Sequence, residues 1–176
     1  MSARFLSLLF VAILSGCAQS VYTDFDQQFP YQDIETYNIA ANVNTSPISL
    51  DGSRIERALQ NEMRAKGLSE TEESPDVSLR YFIEPKTESI AYGPTFSIGY
   101  GSRRFGTLYN TPIRIDQRDY GQLVVEMVDM ISNHVVWRAV SNRKLTDSMT
   151  PASKNAFINQ QVHAMFEHFP PSSVPE

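Results

Sequence analysis

The residue of this 176-residue chain whose chemistry stands out first is Cys17, its single cysteine. A lone cysteine excludes an intramolecular disulfide and cannot complete the sulfur-containing shell of a structural zinc site. Its thiol therefore matters as a nucleophile that a lipid or another group can alkylate. Leu14, Ser15 and Gly16 stand directly before it, so small residues occupy the place where a processing peptidase would cleave.

The first sixteen residues have the layout of a signal peptide. Arg4 gives the positive start, and residues 5–14 are apolar apart from one serine. This run is too short for a membrane-spanning helix, which needs about 20 residues. Together with Cys17 it resembles the bacterial lipobox, in which a diacylglyceryl group is attached to the cysteine sulfur before cleavage. We therefore predict a cleaved signal peptide at 1–16 and lipidation of Cys17. The alternative is an ordinary secretory signal with a chance cysteine.

Lipidation at Cys17 would also predict where the protein lies. Each buried methylene is worth about 0.8 kcal/mol, so several acyl chains would hold the chain on a membrane permanently. Ala18 follows the cysteine, where an aspartate would resemble an inner-membrane retention signal, and its absence favours the outer membrane. Residues 17–20 form a short tether, so we expect the domain to face the periplasm close to its bilayer.

Charge and length limit the classes of partner and of architecture. Removing residues 1–16 leaves 160 residues with 14 basic and 20 acidic side chains, a formal charge of −6. This balance argues against nucleic acid as the main partner, because neutralising phosphates needs a basic surface. The length predicts a single domain at 21–171, followed by a C-terminal tail at 172–176.

Hydrophobic periodicity predicts five strands and two helices. The strands are expected at 21–25, 36–43, 77–84, 123–128 and 135–139. Ser53 and Glu56 read as a capping box that opens the first helix, and Gly67 ends it. The last helix begins near Pro151 and is stopped by Pro170 and Pro171. Residues 91–121 mix glycines with aromatic residues, which is typical of a hairpin or a mobile loop.

The order of these elements predicts an α+β fold. We expect two layers, a mixed and largely antiparallel sheet with two amphipathic helices packed on one face, because two helices cannot cover both faces of five or six strands. Residues 123–128 are apolar on both faces, which predicts a central strand. Trp137 alternates in phase with Val135 and Ala139, so we expect it in the core.

An exposed loop of aromatic and basic residues is the predicted interaction site. Arg103 and Arg104 lie between Tyr100 and Phe105, a combination that suits contact with an envelope protein or a glycan. The alternative reading is a solvated loop without a partner.

No catalytic or metal-binding set is predicted, and no cofactor is expected. His163 and His168 are five residues apart, whereas paired ligands on a helix need a spacing of three or four. His163 is instead placed to pair with Glu167, one turn further on. The alternative function is an envelope hydrolase that uses aspartates as acid and base, which would require three of them to share one cleft: Asp24, Asp76 and Asp129.

Landmarks along nearly the whole mature chain resemble the bacterial lipoprotein family known as domain of unknown function 4136. They are the Tyr22–Asp26 segment, Thr36 and Tyr37, Lys66 and Gly67, Pro75 to Val77, Gly121 to Val124, Val128 and Asp129, Val136 to Arg138, and Phe169 to Pro171. The family pattern often has glycine after the tryptophan and arginine, where this chain has Ala139. The resemblance implies an envelope lipoprotein of no established activity. Our leading hypothesis is thus a non-catalytic binding or envelope-assembly role, and a purely structural envelope component is the further alternative.

Overall fold

The computed structural model describes residues 20–40, 48–93, 98–102, 105–109 and 114–171, with the backbone alone at 98–102 and 105–109. In chain order the elements are β1 (Val21–Phe25), β2 (Thr36–Ile39), α1 (Leu50–Ala65), β3 (Ser69–Glu70), β4 (Val77–Tyr92), β5 (Ile98–Ser102), β6 (Phe105–Tyr109), β7 (Arg114–Asp129), β8 (Val135–Ser141) and α2 (Pro151–Phe166). A single 3-10 turn, Tyr31–Asp33, lies between β1 and β2.

Six of these strands form one open, mixed sheet in the order β1-β8-β7-β4-β2-β3. Strand β2 runs parallel to β3 and β4, while the β1–β8, β8–β7 and β7–β4 pairs are antiparallel. The parallel pair follows from the connection through α1, because only a long crossover can bring the chain back in the same direction. Strands β5 and β6 pair separately as an antiparallel hairpin. The predicted α+β fold with a largely antiparallel sheet is confirmed.

Helix α1 begins one turn earlier than the capping box predicts. Ser49 is the N-cap, and its hydroxyl accepts a hydrogen bond of 2.9 Å from the Gly52 N–H. Ser53 lies inside the helix, and the Glu56 carboxylate accepts a 2.7 Å hydrogen bond from the Tyr81 hydroxyl instead of capping the helix. The prediction of the helix start was wrong because Gly52, a poor helix former, lies in the first turn. Gly67 ends the helix with a φ of 83°, as expected.

Helix α2 starts where the sequence predicts. Thr150 is its N-cap, with its hydroxyl accepting from the Ser153 N–H at 3.2 Å, and Pro151 occupies the first turn, where no N–H is needed. The helix ends at Phe166, before the proline pair that was expected to stop it. Phe169 follows the helix and is still buried in the core.

The two helices lie side by side and run parallel. Lys154 contacts Asp51 at 3.0 Å in the first turns of the two helices, and His163 contacts Glu62 at 3.0 Å in their last turns. The expected pair between His163 and Glu167 is therefore wrong, because the neighbouring helix offers a carboxylate first. Both helices cover the same face of the sheet, as predicted.

That covered face and the two helices enclose the core. The sheet contributes Val77, Leu79, Tyr81, Leu123, Val125, Met127, Trp137 and Ala139, and the helices contribute Ile55, Leu59, Met63, Ile158, Val162, Met165 and Phe166. Trp137 is buried as predicted, with its ring stacked on Phe166 at 4.7 Å between centroids. Truncating such an aromatic side chain to alanine typically costs about 3–5 kcal/mol.

Asp76 fastens the start of β4 to the start of β2. Its carboxylate accepts hydrogen bonds from the Glu35 N–H (3.0 Å), the Thr36 N–H (2.8 Å) and the Thr36 hydroxyl (2.8 Å). Hydrogen bonds to the charged form favour it, so the bonds from Thr36 and Glu35 lower the pKa of Asp76 below its ordinary value.

Asp129 closes the turn between β7 and β8 in the same way. Its carboxylate accepts from the Ser132 N–H at 2.9 Å and from the Ile131 N–H at 3.2 Å. The bonds from Ser132 are the main cause of its lowered pKa. Both carboxylates thus serve the fold, since Asp76 joins the starts of two strands and Asp129 closes a turn.

Strands β4 and β7 are much longer than the sequence predicts. They pair in continuous register from Val77 opposite Asp129 to Tyr92 opposite Arg114. Beyond Ile83 and Leu123 the ribbon leaves the core, and most of its side chains are exposed. We call residues 84–92 and 114–122 the arm. At about 3.3 Å per residue it extends for roughly 25 Å. The region 91–121, expected as a hairpin or mobile loop, thus contains the outer arm and the β5–β6 hairpin.

We predict that Asp76→Asn removes part of the acid sensitivity of the fold. The folded-state pKa of Asp76 lies below the ordinary value of 3.8. Its stabilisation is therefore complete well above pH 4 and is lost as the pH falls through the folded-state value. At pH 7 the variant should be about 1 kcal/mol less stable than the wild type, and this difference should shrink toward pH 3. Urea unfolding at several pH values measures it.

Asp116→Asn on the exposed arm is the matched control, because no backbone amide is bonded to that carboxylate among the contacts of the described residues. It should follow the wild-type profile. Equal pH profiles for the wild type and Asp76→Asn would contradict the assigned role of Asp76.

Candidate functional site

The chain enters the domain at one defined end of the sheet. The Ser20 carbonyl accepts a 2.9 Å hydrogen bond from the Asn142 N–H, and Val21 pairs with Ser141. From there β1 runs to Phe25 opposite Trp137, toward the β7–β8 turn. We call the end with Ser20 the entry end and the end with the β7–β8 turn the far end.

Both helices begin at the entry end, where they enclose a hollow of about 370 Å³. It is lined by Ser49, Leu50, Asp51, Arg54, Asp147, Met149, Pro151 and Lys154. Leu50 is 78% exposed and Ile48 is 45% exposed, so this end presents apolar side chains beside the hollow. Single exposed apolar residues are common on proteins, but two that flank the N-cap Ser49 at one helix start form a small apolar contact surface.

The charges of this hollow are largely paired. Asp51 bridges Arg54 at 2.5 Å and Lys154 at 3.0 Å, and Lys154 also lies 3.8 Å from Asp147. The carboxylate of Asp51 sits in the first turn of α1, where the helix dipole favours a negative charge. Since both cations already contact this carboxylate, the hollow is not an obvious site for an added anion.

Cys17, the predicted lipidation site, lies outside the described residues, which begin at Ser20. Chain geometry still limits its position. Three peptide links join it to Ser20, so the two Cα atoms are at most about 11 Å apart. Any group on the Cys17 sulfur would therefore be joined to the entry end by a short covalent link.

The predicted interaction loop is described in part. Tyr100 lies on β5 and Phe105 on β6, where Ser102 pairs with Phe105. Arg103 and Arg104 lie outside the described residues, between these two strands. The backbone therefore forms a hairpin at this place, and whether it binds a partner stays a prediction.

The three aspartates of the hydrolase hypothesis are not brought together. Asp76 directly precedes β4, and Asp129 is the last residue of β7, opposite Val77. Both carboxylates are held by backbone N–H groups and have lowered pKa values. Asp24 lies on β1 opposite Arg138, on another part of the sheet. Within residues 20–40, 48–93 and 114–171, no group of three His, Cys, Asp or Glu side chains is arranged to hold a metal ion.

An aromatic hollow of about 260 Å³ lies at the far end. It is lined by Phe25, Gln27, Phe29, Pro30, Tyr31, Gln32, Asp33 and Pro171. The Tyr31 hydroxyl donates to the Val136 carbonyl, and burial raises the pKa of Tyr31 to about 12. Its ring packs edge-on against Phe29 and Phe169. Through these contacts Tyr31 anchors the β1–β2 connection to the core.

Sequence reasoning missed the polar layer on the uncovered face of the sheet. Arg138 forms an ion pair with Glu126, and its guanidinium lies over the Phe82 ring, 5.7 Å from the centroid. Val124 stands opposite Phe82 and is fully buried on this face, which neither α1 nor α2 covers. The apolar character of both faces of residues 123–128 indicated that the second face is also buried. The side chains that cover it could not be predicted, because they depend on the register between strands.

Similarity to solved structures is confined to the fold. A PDZ domain protein from Parabacteroides distasonis matches with a TM-score of 0.57 and 14% identity, over 87% of this chain and 36% of that one. The chain thus spans about a third of that protein. Two structures of a PelC dodecamer from Paraburkholderia phytofirmans match with TM-scores of 0.46 and 0.45 at 13% identity. Each match covers 83% of this chain, and the two matches cover 92% and 93% of the respective PelC chains. No curated protein matches the sequence.

The family comparison covers the whole described domain. The model of a family described as a domain of unknown function, DUF4136, matches residues 21–171. This range begins at β1, includes both helices and ends just after Phe169 and Pro170. The chain therefore belongs to the DUF4136 family.

Proposed function

We propose that this chain is a lipid-anchored domain of the bacterial outer membrane that faces the periplasm and has a non-catalytic binding or envelope-assembly role. The observation that carries the proposal is the short link between Cys17 and the folded domain. Ser20 is already bonded to β8 through Asn142, so a lipid on Cys17 would keep the domain within about 11 Å of the lipidated residue.

The first seventeen residues support the lipid anchor. A positive start, a ten-residue apolar run and small residues before the cysteine are the features that lipobox processing needs. None of the helices in the described part of the chain is long and apolar enough to cross a membrane. A lipid on Cys17 would provide membrane attachment by another route.

The entry end suits a position next to a bilayer. Leu50 and Ile48 are exposed there, and the Asp51 carboxylate of the adjacent hollow is paired with Arg54 and Lys154. The arm continues past this end with charged residues such as Lys86, Glu88 and Arg118. These charges disfavour burial of the arm in hydrocarbon, so it would stay in water or among the lipid headgroups.

The hydrolase alternative draws no support from the described aspartates. General acid catalysis needs a carboxyl group that keeps its proton near the working pH, which means a raised pKa. Asp76 and Asp129 have lowered pKa values, and their oxygens are occupied by backbone N–H groups. An assembly or binding role needs neither acid nor base.

We predict that Cys17→Ser leaves an unprocessed precursor without lipid. The serine hydroxyl cannot replace the thiolate as the alkylated nucleophile. Metabolic labelling with radioactive palmitate, followed by separation of membranes, tests this directly. The wild type should carry the label and sediment with the outer membrane, and Ser15→Ala, which keeps a small residue before the cysteine, should behave like it. Mature wild-type protein in the soluble periplasmic fraction would refute the proposal.

We also predict that the entry end lies nearer to the lipid than the far end. A fluorophore on Asn142→Cys, beside Ser20, should be quenched by lipids with nitroxide headgroups when the full chain is reconstituted in vesicles. A fluorophore on Ile131→Cys, which is 96% exposed in the far-end turn, is the control and should be quenched much less.

Insertion of a ten-residue Gly and Ser linker after Ala18 should weaken the quenching at Asn142→Cys, because the tether then no longer holds the domain at the surface. Equal quenching at both positions, or no effect of the linker, would contradict the short-tether geometry.

A further inference from the structure

The face of the sheet that the helices leave uncovered has a regular pattern. We call it the open face. Its side chains form three rows that cross the strands, because residues paired in register point to the same side. From β4 through β7 and β8 to β1, the first row is Phe82, Val124, Val140 and Tyr22, and the second row is Arg80, Glu126, Arg138 and Asp24. The third row is Ser78, Val128 and Val135, on β4, β7 and β8, and its β7–β8 pair lies just beyond a register shift between Met127 and Val128.

Apart from Ser78, the residues of the first and third rows are apolar. Val124 and Val128 are at most 1% exposed, and Phe82 and Val140 are half-buried. Tyr22 is 59% exposed and Val135 is 47% exposed, so apolar area remains open at both ends of the pattern. Among the described elements, none covers this face.

The second row alternates in charge. Arg80 is positive, Glu126 negative, Arg138 positive and Asp24 negative, on four successive strands. Reading the row backwards gives the opposite sign at every position. An alternating row with an even number of charges is therefore complementary to its own reversed copy.

This symmetry selects one way for two open faces to meet. A two-fold axis that lies between two sheets and runs along the strands reverses the order of the strands and keeps each row at its level. Arg80 then faces Asp24 of the second copy, and Glu126 faces Arg138, so all four positions oppose unlike charges. The first row places Phe82 over Tyr22 and Val124 over Val140. An axis perpendicular to the strands would place each charge over its own copy and is disfavoured.

We propose that two copies of this chain pair through their open faces about a two-fold axis parallel to the strands. The charged row sets the register, and the pairing buries the apolar area that is still exposed on Phe82, Val140, Tyr22 and Val135. The four strands at about 4.8 Å spacing make a small footprint. Interfaces of this size are weak and reversible, so the dissociation constant belongs in the micromolar range.

The same axis leaves both Ser20 residues at one end of the dimer. Two anchors on Cys17 would then reach one membrane, which the perpendicular axis would prevent. The pairing does not depend on the anchor, but attachment of both copies to one surface would raise their effective concentration.

An exchange of the two outer charges tests the register. Within one copy, residues 24 and 80 are three strand spacings apart, about 14 Å, so they do not contact each other. In the dimer they face each other twice. We expect Asp24→Arg and Arg80→Asp each to raise the dissociation constant about tenfold, because like charges then oppose. The double variant with both changes restores unlike pairs and should return to within about threefold of the wild type.

Sedimentation equilibrium of the full chain in density-matched detergent measures these constants. Glu72→Arg is the control, because it makes the same charge change in an exposed loop outside the open face, and it should leave the constant unchanged. Thermal unfolding of every variant checks the fold. A wild type that stays monomeric up to millimolar concentration overturns the proposal, as does a double variant that stays as weak as the single ones.

Crosslinking gives a second test that needs no charge change. In the proposed dimer the two Val135 positions lie about 11 Å apart, from one strand spacing and one sheet spacing. A bismaleimide of that length should link two copies of Val135→Cys. Ala156→Cys, exposed on α2 on the other side of the molecule, is the control and carries the same Cys17. Equal crosslinking of both variants, or none for Val135→Cys, would also overturn the pairing.

Discussion

The central constraint in this structure is that two helices can cover only one face of a six-stranded sheet. Helices α1 and α2 run parallel over one face, where Trp137 stacks on Phe166 and the apolar residues of β4, β7 and β8 meet the helix stripes. None of the described elements covers the other face. There Arg138 pairs with Glu126 and lies over the Phe82 ring, and Val124, opposite Phe82, is fully buried. Both faces of β7 are thus apolar for different reasons: one packs against the helices, and the other lies beside the Arg138, Glu126 and Phe82 layer.

The same sheet determines what lies at each of its ends. The chain enters β1 at Ser20 beside β8, both helices start at that end, and the arm leaves from it. The far end is closed by hydrogen bonds from backbone N–H groups to Asp76 and Asp129 and by the Tyr31 hydroxyl. The entry end presents exposed apolar residues and the long ribbon, which are the features that a membrane-proximal assembly domain would use.

Much of the fold could be predicted because burial imposes periodicity. Alternation in 77–84 and 135–139, and the apolar stripe of the last helix, predicted these elements and the burial of Trp137. The start of α1 was missed, because Gly52 hides the first turn. The arm was missed because its residues are polar on both faces and carry no period. The end of β2 could not be compared in full, since residues 41–43 lie outside the described ranges.

Some features of the candidate sites could likewise be predicted from the sequence, and others could not. The turn-closing role of Asp129 could be anticipated from residue type and position, but the bonds from Thr36 to Asp76 join distant parts of the sequence and could not. The Arg138, Glu126 and Phe82 layer could not, because it depends on which residues of three strands stand in register. Cys17, Arg103 and Arg104 lie outside the described residues, so their predicted roles rest on the sequence.

The claim on which this account depends is that the mature chain begins at a lipidated Cys17. Mass spectrometry of the N-terminal peptide, from protein extracted from the membranes of the native host, tests it most directly. The account predicts a peptide that begins at Cys17 and carries a diacylglyceryl group on its sulfur. A peptide that begins elsewhere, or an unmodified Cys17 thiol in the mature protein, would contradict it.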